Sequence, residues 1–290
     1  MTVHRSTIQL LRIPFSFFLM PVFWFALSQV GEKDWGQAAL IFFILHILVY
    51  PASNGYNSYM DRDTGPIGGL RNPLEPTKQL FYCSLAMDIL ALLLGLLIAP
   101  WFSVGIAIYI LASRAYSYRR IRLKKYPIPG YLIVVICQGA LVFFLVFAGC
   151  HSAPATLPRS DIPWPAMLAA SLLIGGFYPL TQIYQHDADR RDGVKTLSML
   201  LGYRGTFIFT GIIYTIAMSI LFYYFVSTLQ IREFFALATC MLPVLVYFFI
   251  WAAKVWNHSQ QASHTNTMRM NWLASVCTNA GFLIVLYLGT

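Results

Sequence analysis

A chain of 290 residues that is 58% hydrophobic and 11% charged, with mean hydropathy +0.63, is not a soluble globular domain, where about a quarter of residues carry charge. Its net charge of +9 does not mark a nucleic-acid partner, because the basic residues lie in loops between apolar runs, which is membrane topology. Cys83, Cys137, Cys150, Cys240 and Cys277 lie mostly inside those runs without C-x-x-C spacing, so neither a disulfide framework nor a zinc site is implied.

Taken in order, residues 1–12 are short and basic (Arg5, Arg12), and an apolar run follows to Val30. Pro14 and Pro21 interrupt that run and no small-residue cleavage site follows, so it reads as an uncleaved first helix. Further spans centre on 36–53, 79–98, 101–117, 131–149, 164–183, 206–227, 234–253 and 271–289. Each is near the roughly 20 residues that a bilayer requires. Backbone groups in lipid must be satisfied internally, so the expectation is an all-α membrane protein. It would be a bundle of nine transmembrane helices forming a single domain over 1–290, with no soluble domain attached.

Charge then orients the bundle. With loops assigned alternately to the two sides, Lys33, Arg159 and Arg232 fall on one side and the remaining 17 of the 20 basic residues on the other. The positive-inside rule places the N-terminus in the cytoplasm and the C-terminus outside.

Two polar stretches interrupt the pattern, and both fall on the expected cytoplasmic side. In Asn54-Gly-Tyr-Asn57-Ser-Tyr-Met-Asp61-Arg-Asp63, the residues Asn54, Asn57 and Asp61 recur at i, i+3 and i+7 and share one helix face. Two amides and a carboxylate, with Asp63 following, suit a hard cation such as Mg²⁺, which takes carboxylates together with a ligand's phosphate oxygens. The second stretch is Gln185-His-Asp187-Ala-Asp189-Arg-Arg-Asp192-Gly193. Together the two can hold one polyphosphate; separately, each is also readable as an ordinary helix end wetted at the membrane surface.

These residues resemble the UbiA family of intramembrane prenyltransferases, whose nine helices carry Asp-rich motifs after helices two and six. The first motif, N-x-x-x-D-x-x-x-D, is matched by Asn57-Ser-Tyr-Met-Asp61-Arg-Asp63-Thr-Gly65. The second, D-x-x-x-D-x-x-x-G-x-x-T-L, is matched by Gln185 through Asp189 and Gly193 to Thr196-Leu197. The stretch Tyr116-Ser-Tyr118-Arg-Arg-Ile-Arg122-Leu-Lys124-Lys125 is similar to the family's basic stretch after helix four, and Arg71-Asn-Pro73 to its Arg-Pro element. Two positions depart: Gly65 and Gln185 stand where the family has Asp. Asp63 and Asp187 are the candidate stand-ins for the missing oxygens.

The resemblance implies transfer of an isoprenyl group from a prenyl diphosphate to a hydrophobic or aromatic acceptor within the lipid bilayer, with no nucleic acid and no protein partner. Diphosphate leaves when its developing charge is stabilised by Mg²⁺ and cationic side chains in a water-poor site. Asn57, Asp61 and Asp189, with Asp63, Asp187 and Asp192, would hold Mg²⁺. Arg122, Lys124, Arg71 and Lys195 would contact phosphate, although topological anchoring is the better account of most basic residues and only Arg122 and Lys124 stand level with it. Asn54 and Tyr118 complete the candidate substrate contacts, with Tyr116 or Tyr118 shielding an allylic cation.

Other polar residues fall inside spans. Asp88 is expected buried and hydrogen-bonded or protonated, His46 packed, Gln138 and Gln182 satisfying neighbouring helices or lining an acceptor pocket, and Tyr178-Pro179 kinking helix six. Two rival readings remain at this stage: a transporter or channel built on the acidic helix ends, and a family member that binds isoprenoid diphosphate without turnover.

Overall fold

A computed structural model describes residues 4–151 and 162–289; Arg159, expected on the outer side, lies outside them. Among the described residues, eight helices are long and apolar enough to cross a membrane. They are α1 (Arg5–Ser28), α2 (Trp35–Asp61), α3 (Lys78–Leu96), α5 (Pro127–Gly149), α6 (Trp164–Arg191), α7 (Leu197–Ser227), α8 (Ile231–Asn257) and α9 (His264–Leu288). Between α3 and α5 runs α4 (Pro100–Ser117), 18 residues long, which is the remaining expected span and is not among the eight. It starts at Pro100, where a missing N–H costs nothing in a first turn. The protein is therefore a multi-pass, all-helical membrane protein. Among the described residues, β-pairing is limited to two isolated bridges, Lys33 with His151 and Ile67 with Leu70.

Several of the helices are not uniform. In α1, Arg12 takes the left-handed conformation (φ 48°), and a 3₁₀ stretch Ile13–Leu19 carries Pro14 before the α-helix resumes at Met20. Both α2 and α5 contain π-helical segments, Phe43–Val49 and Ile136–Leu141, which include His46 and Gln138 respectively. In α6, Pro179 removes a backbone donor, and the helix tightens to 3₁₀ over Ile183–Gln185 before its last turns, His186–Arg191. The α-helix runs on past Tyr178-Pro179 to Gln182. Within α7, Gly202 (φ 68°, ψ 176°) breaks the helical dihedrals, a conformation open to glycine because it lacks a Cβ.

The chain divides into two compact units. The first comprises the start of α1, all of α2, α3 and α4, and the end of α5; the second comprises the rest of α1 and α5 together with α6 to α9. In the first, Phe42, His46, Tyr50 and Tyr109 form a chain of ring contacts at 4.5, 5.0 and 5.8 Å, and His46 is fully buried in it. In the second, Phe25 stacks on Phe282 at 4.6 Å, and a core gathers Leu180, Ile183, Phe207, Trp251, Met270 and Ala274. Apolar side chains gain no transfer energy when they leave lipid for protein, so close packing must hold such helices together. Gly139 shows this: a Cβ there would lie 2.4 Å from the Ser171 backbone. Conversely, Leu97, Leu111, Tyr223 and Phe249 are more than half exposed, as large apolar side chains facing hydrocarbon are expected to be.

Candidate functional site

In the first unit, the residues Tyr50–Asp61 are α-helical, so Asn54, Asn57 and Asp61 occupy the spacing read from the sequence. The helix stops at Asp61 because Arg62 turns left-handed (φ 53°) and returns its N–H to the Ser58 carbonyl at 3.0 Å. Asn57 Nδ2 donates to Asp61 Oδ2 at 2.9 Å and to Ser117 Oγ, at the end of α4, also at 2.9 Å. Beyond α4 the chain makes a tight turn in which the Arg122 N–H donates to the Tyr118 carbonyl at 2.7 Å, with Arg122 itself at φ 49°. That turn carries the guanidinium to 3.6 Å from Asp61 Oδ1. The two side chains are only 10% and 4% exposed, so the pair works in a nearly dry setting where charge counts for more than in water. Arg119 Nε donates to the Met60 carbonyl at 2.8 Å and ties the same turn to the end of α2.

Not every expected residue joins this group. Asn54 Oδ1 accepts from Arg12 Nη2 at 3.2 Å, and Arg12 Nη1 also donates to the Gly68 carbonyl at 3.0 Å. Asp63 and Arg71 are exposed in the loop after α2, Tyr118 is partly exposed, and Lys124 is half-buried in the 3₁₀ turn Leu123–Lys125. Gly65 has no positive φ, and nothing lies within 4 Å of where its Cβ would be, so an aspartate is sterically free to stand there.

Sequence reasoning weighed Asp88 but not its partner. Asp88 on α3 pairs with Arg114 on α4, and the Arg114 guanidinium also lies 3.9 Å from the ring centre of Tyr56, next to Asn57. Ionisable groups inside adjacent spans are expected to find each other, which was the available signal. Arg12 and Ser117 gave none.

In the second unit, the last turns of α6 carry the acidic stretch. A helix advances about 100° per residue, so Asp187 and Asp189 point about 200° apart, whereas Gln185, Asp189 and Asp192 recur on one side. Asp187 is 85% exposed and meets Arg190 at 3.4 Å in solvent. The Asp189 carbonyl accepts from the Val194 N–H at 2.8 Å, and the turn between them passes through Gly193 at φ 64°. Lys195 is exposed, its N–H 3.4 Å from the Lys125 carbonyl. Behind this turn, buried His186 shares a 2.8 Å hydrogen bond with Ser198, Ser198 meets Thr206 at 3.1 Å, and Thr206 donates to the Gly202 carbonyl at 2.7 Å. His186 also stacks on Tyr203 at 4.8 Å.

Among the described residues, no three His, Cys, Asp or Glu side chains converge as a metal cage. Mg²⁺ does not require one. It is held by one or two carboxylates and completes its shell with water and substrate phosphate, so Asp61 with Asn57, and Asp189 with Gln185 and Asp192, are donor sets of the right chemistry.

Helical spans that carry an amide–carboxylate group at the end of α2, in one unit, and an acidic stretch at the end of α6, in the other, define a multi-pass membrane protein with cation-ligating chemistry at each of those helix ends. The model of the UbiA prenyltransferase family matches residues 18–275, and the chain belongs to that family. The bacteriochlorophyll synthase 33 kDa chain of Cereibacter sphaeroides is 29% identical over 176 residues, which is 59% of this chain and 57% of that one. The match thus spans little more than half of that relative's length. Among solved structures, a UbiA homologue from Archaeoglobus fulgidus bound to GPP and Mg²⁺ superposes with TM-score 0.67 at 20% identity, covering 97% of this chain and 99% of the other. The apo UbiA homologue from Aeropyrum pernix K1 gives 0.69 at 17% identity, with 94% and 98% covered. These likenesses show the UbiA fold.

Proposed function

We propose that this protein is an intramembrane prenyltransferase, acting as one domain, that moves an isoprenyl group from a prenyl diphosphate to a hydrophobic or aromatic acceptor. The observation that carries the reading is the nearly dry Asn57–Asp61–Arg122 group at the end of α2. The relatives support it: the Archaeoglobus homologue binds GPP or DMAPP with Mg²⁺.

In this reading Asp61, oriented by Asn57, and, in the other unit, Asp189 would each serve as a Mg²⁺ ligand, and Mg²⁺ when bound would neutralise charge developing on the departing diphosphate. Arg122 supplies a guanidinium that exchanges its Asp61 contact for phosphate oxygens. Lys124, Lys195 and Arg71 are further phosphate contacts, and Tyr118 faces the allylic carbon. Asn54, held by Arg12, fixes the upper part of the α2 face. In the transfer, the bond from the prenyl C1 to the diphosphate oxygen breaks and its electron pair leaves with diphosphate. The acceptor's electron pair forms the new bond to C1, and the proton it loses passes to the released diphosphate. The N-terminus and both acidic ends face the cytoplasm. A transporter is the weaker reading, since its acidic groups are expected near the midplane and not at helix ends.

The test is incubation of purified protein with radiolabelled prenyl diphosphates, Mg²⁺ and a membrane lipid extract. Mg²⁺-dependent label in a lipid-soluble product is expected. Diphosphate binding without product would make the protein a non-catalytic isoprenoid binder.

A further inference from the structure

Within the first unit, the last turn of α4 is tied to both α3 and α2. Arg114 pairs with Asp88 on α3, and its guanidinium lies 3.9 Å from the ring centre of Tyr56 on α2. One turn further along α4, the Ser117 hydroxyl accepts from Asn57 Nδ2 at 2.9 Å. Arg114 and Ser117 are three residues apart in the helix, so they share one face of α4, and the residues they meet, Tyr56 and Asn57, are neighbours on α2. Asp88 is 4% exposed and Ser117 1%, so water competes for neither contact.

The Asn57 amide has two N–H donors, and both are taken, one by Asp61 Oδ2 at 2.9 Å and the other by Ser117. The amide oxygen is then the atom Asn57 can offer a cation. Asp61, one turn on in the same helix, decides which way round the amide sits, because the reverse setting would bring oxygen against a carboxylate. Ser117, reaching in from another helix, supplies the second point that fixes the swing of the amide plane.

Stability does not explain the Asp88–Arg114 pair. Asp88 Oδ1 and Arg114 Nη1 are buried and find no hydrogen-bond partner among the described residues. An apolar pair of similar size would join α3 to α4 without the cost of desolvating two charges. What an ion pair adds to packing is direction, since it is satisfied at one rotation of α4. Turning α4 by a single residue, about 100°, would carry Ser117 off Asn57. We propose that Ser117 and the Asp88–Arg114 pair are positioning residues for Asn57. The pair sets the rotation of α4, and Ser117 passes that rotation to the Asn57 amide, holding its oxygen ready for the cation that accompanies diphosphate. The inference rests on the prenyltransferase reading and adds to its site residues that act through Asn57 alone.

The experiment uses the full chain in lipid nanodiscs with geranyl diphosphate and Mn²⁺, a paramagnetic substitute for Mg²⁺ whose binding electron paramagnetic resonance follows without turnover. Ser117→Ala is expected to weaken Mn²⁺ binding about fivefold, as the loss of one hydrogen bond allows. Asp88→Leu/Arg114→Met is expected to weaken it at least as much while staying folded by circular dichroism. In an Asn57→Ala background neither change should weaken binding further, because no amide is left to aim. Unchanged Mn²⁺ binding in either variant, or no binding by the wild type, would overturn the inference. So would the same loss repeated on top of Asn57→Ala, which would show an effect on packing and not on the amide. Ser117→Ala removes a single oxygen and keeps the test decisive should the double variant not fold. Should this coupling hold while no extract ever yields labelled product, prenyl transfer is what fails and the positioning of Asn57 stands.

Discussion

Replacing Asp88 by leucine strands the Arg114 guanidinium inside the bundle, and replacing Arg114 by methionine strands the Asp88 carboxylate. The two side chains are only 6% and 18% exposed, so neither charge can recover its hydration without moving the helix. Breaking such a pair from one side costs about 3–5 kcal/mol, whereas replacing both partners by apolar residues of similar size is neutral or stabilising. Loss of the Arg114–Tyr56 contact, 3.9 Å from the ring centre, removes about 0.5–2 kcal/mol in the double variant. Each single variant should therefore lose about 3 kcal/mol or more, and Asp88→Leu/Arg114→Met should recover to within about 2 kcal/mol of the wild type. Unfolding of the purified protein by SDS in mixed micelles, followed by tryptophan fluorescence, measures all four. A double variant as unstable as the worse single one would refute charge compensation and leave packing as the reason these residues are there.

Asp61→Asn and Asp189→Asn should each slow Mg²⁺-dependent pyrophosphate release by about a hundredfold or more, since each loses a charged ligand at a site of developing charge. Asp187→Asn, on the opposite side of its turn, should stay within about threefold of wild type in the same assay; equal loss in all three would contradict the helical geometry of residues 186–191. Gly65→Asp should fold normally, because its site is open and its backbone ordinary, and circular dichroism melting checks this. His186→Phe keeps the stack on Tyr203 but removes one of the two side-chain hydrogen bonds of Ser198, the one to Thr206 remaining, at a cost of about 1 kcal/mol by SDS unfolding. For orientation, single cysteines at exposed Thr64 and Arg191, in a background without the five native cysteines, should resist an impermeant reagent applied to intact cells; Ser198, being fully buried, would resist it from either side.

Much of this was open to reading because a membrane makes sequence periodicity blunt. Spans near 20 apolar residues, the skew of basic residues and the i, i+3, i+7 spacing of Asn54, Asn57 and Asp61 all reflect local rules of length and helix geometry. The partnerships were not legible, since Asp88 with Arg114, or Asn57 with Ser117, depends on how separate helices rotate against each other. Arg114 reads as one more loop cation until the neighbouring span is placed beside it. Asp187 stood out as a spare carboxylate two residues from a motif position, and its direction became clear only when residues 186–191 proved to be helical.

The π-helical stretch Phe43–Val49 lies directly upstream of the turns that carry Asn54, Asn57 and Asp61. A wide turn accommodates one more residue than an α-helical one, and each residue is worth about 100° of rotation about the axis. The bearing of the amide and carboxylate face is thus fixed by residue count in a segment that ends five positions before Asn54. Tightening that stretch to ordinary α-helix with no residue removed would swing Asp61 by about 100° away from Arg122, and deleting one residue together with the tightening would bring it back. The reach of this site is encoded partly as a length.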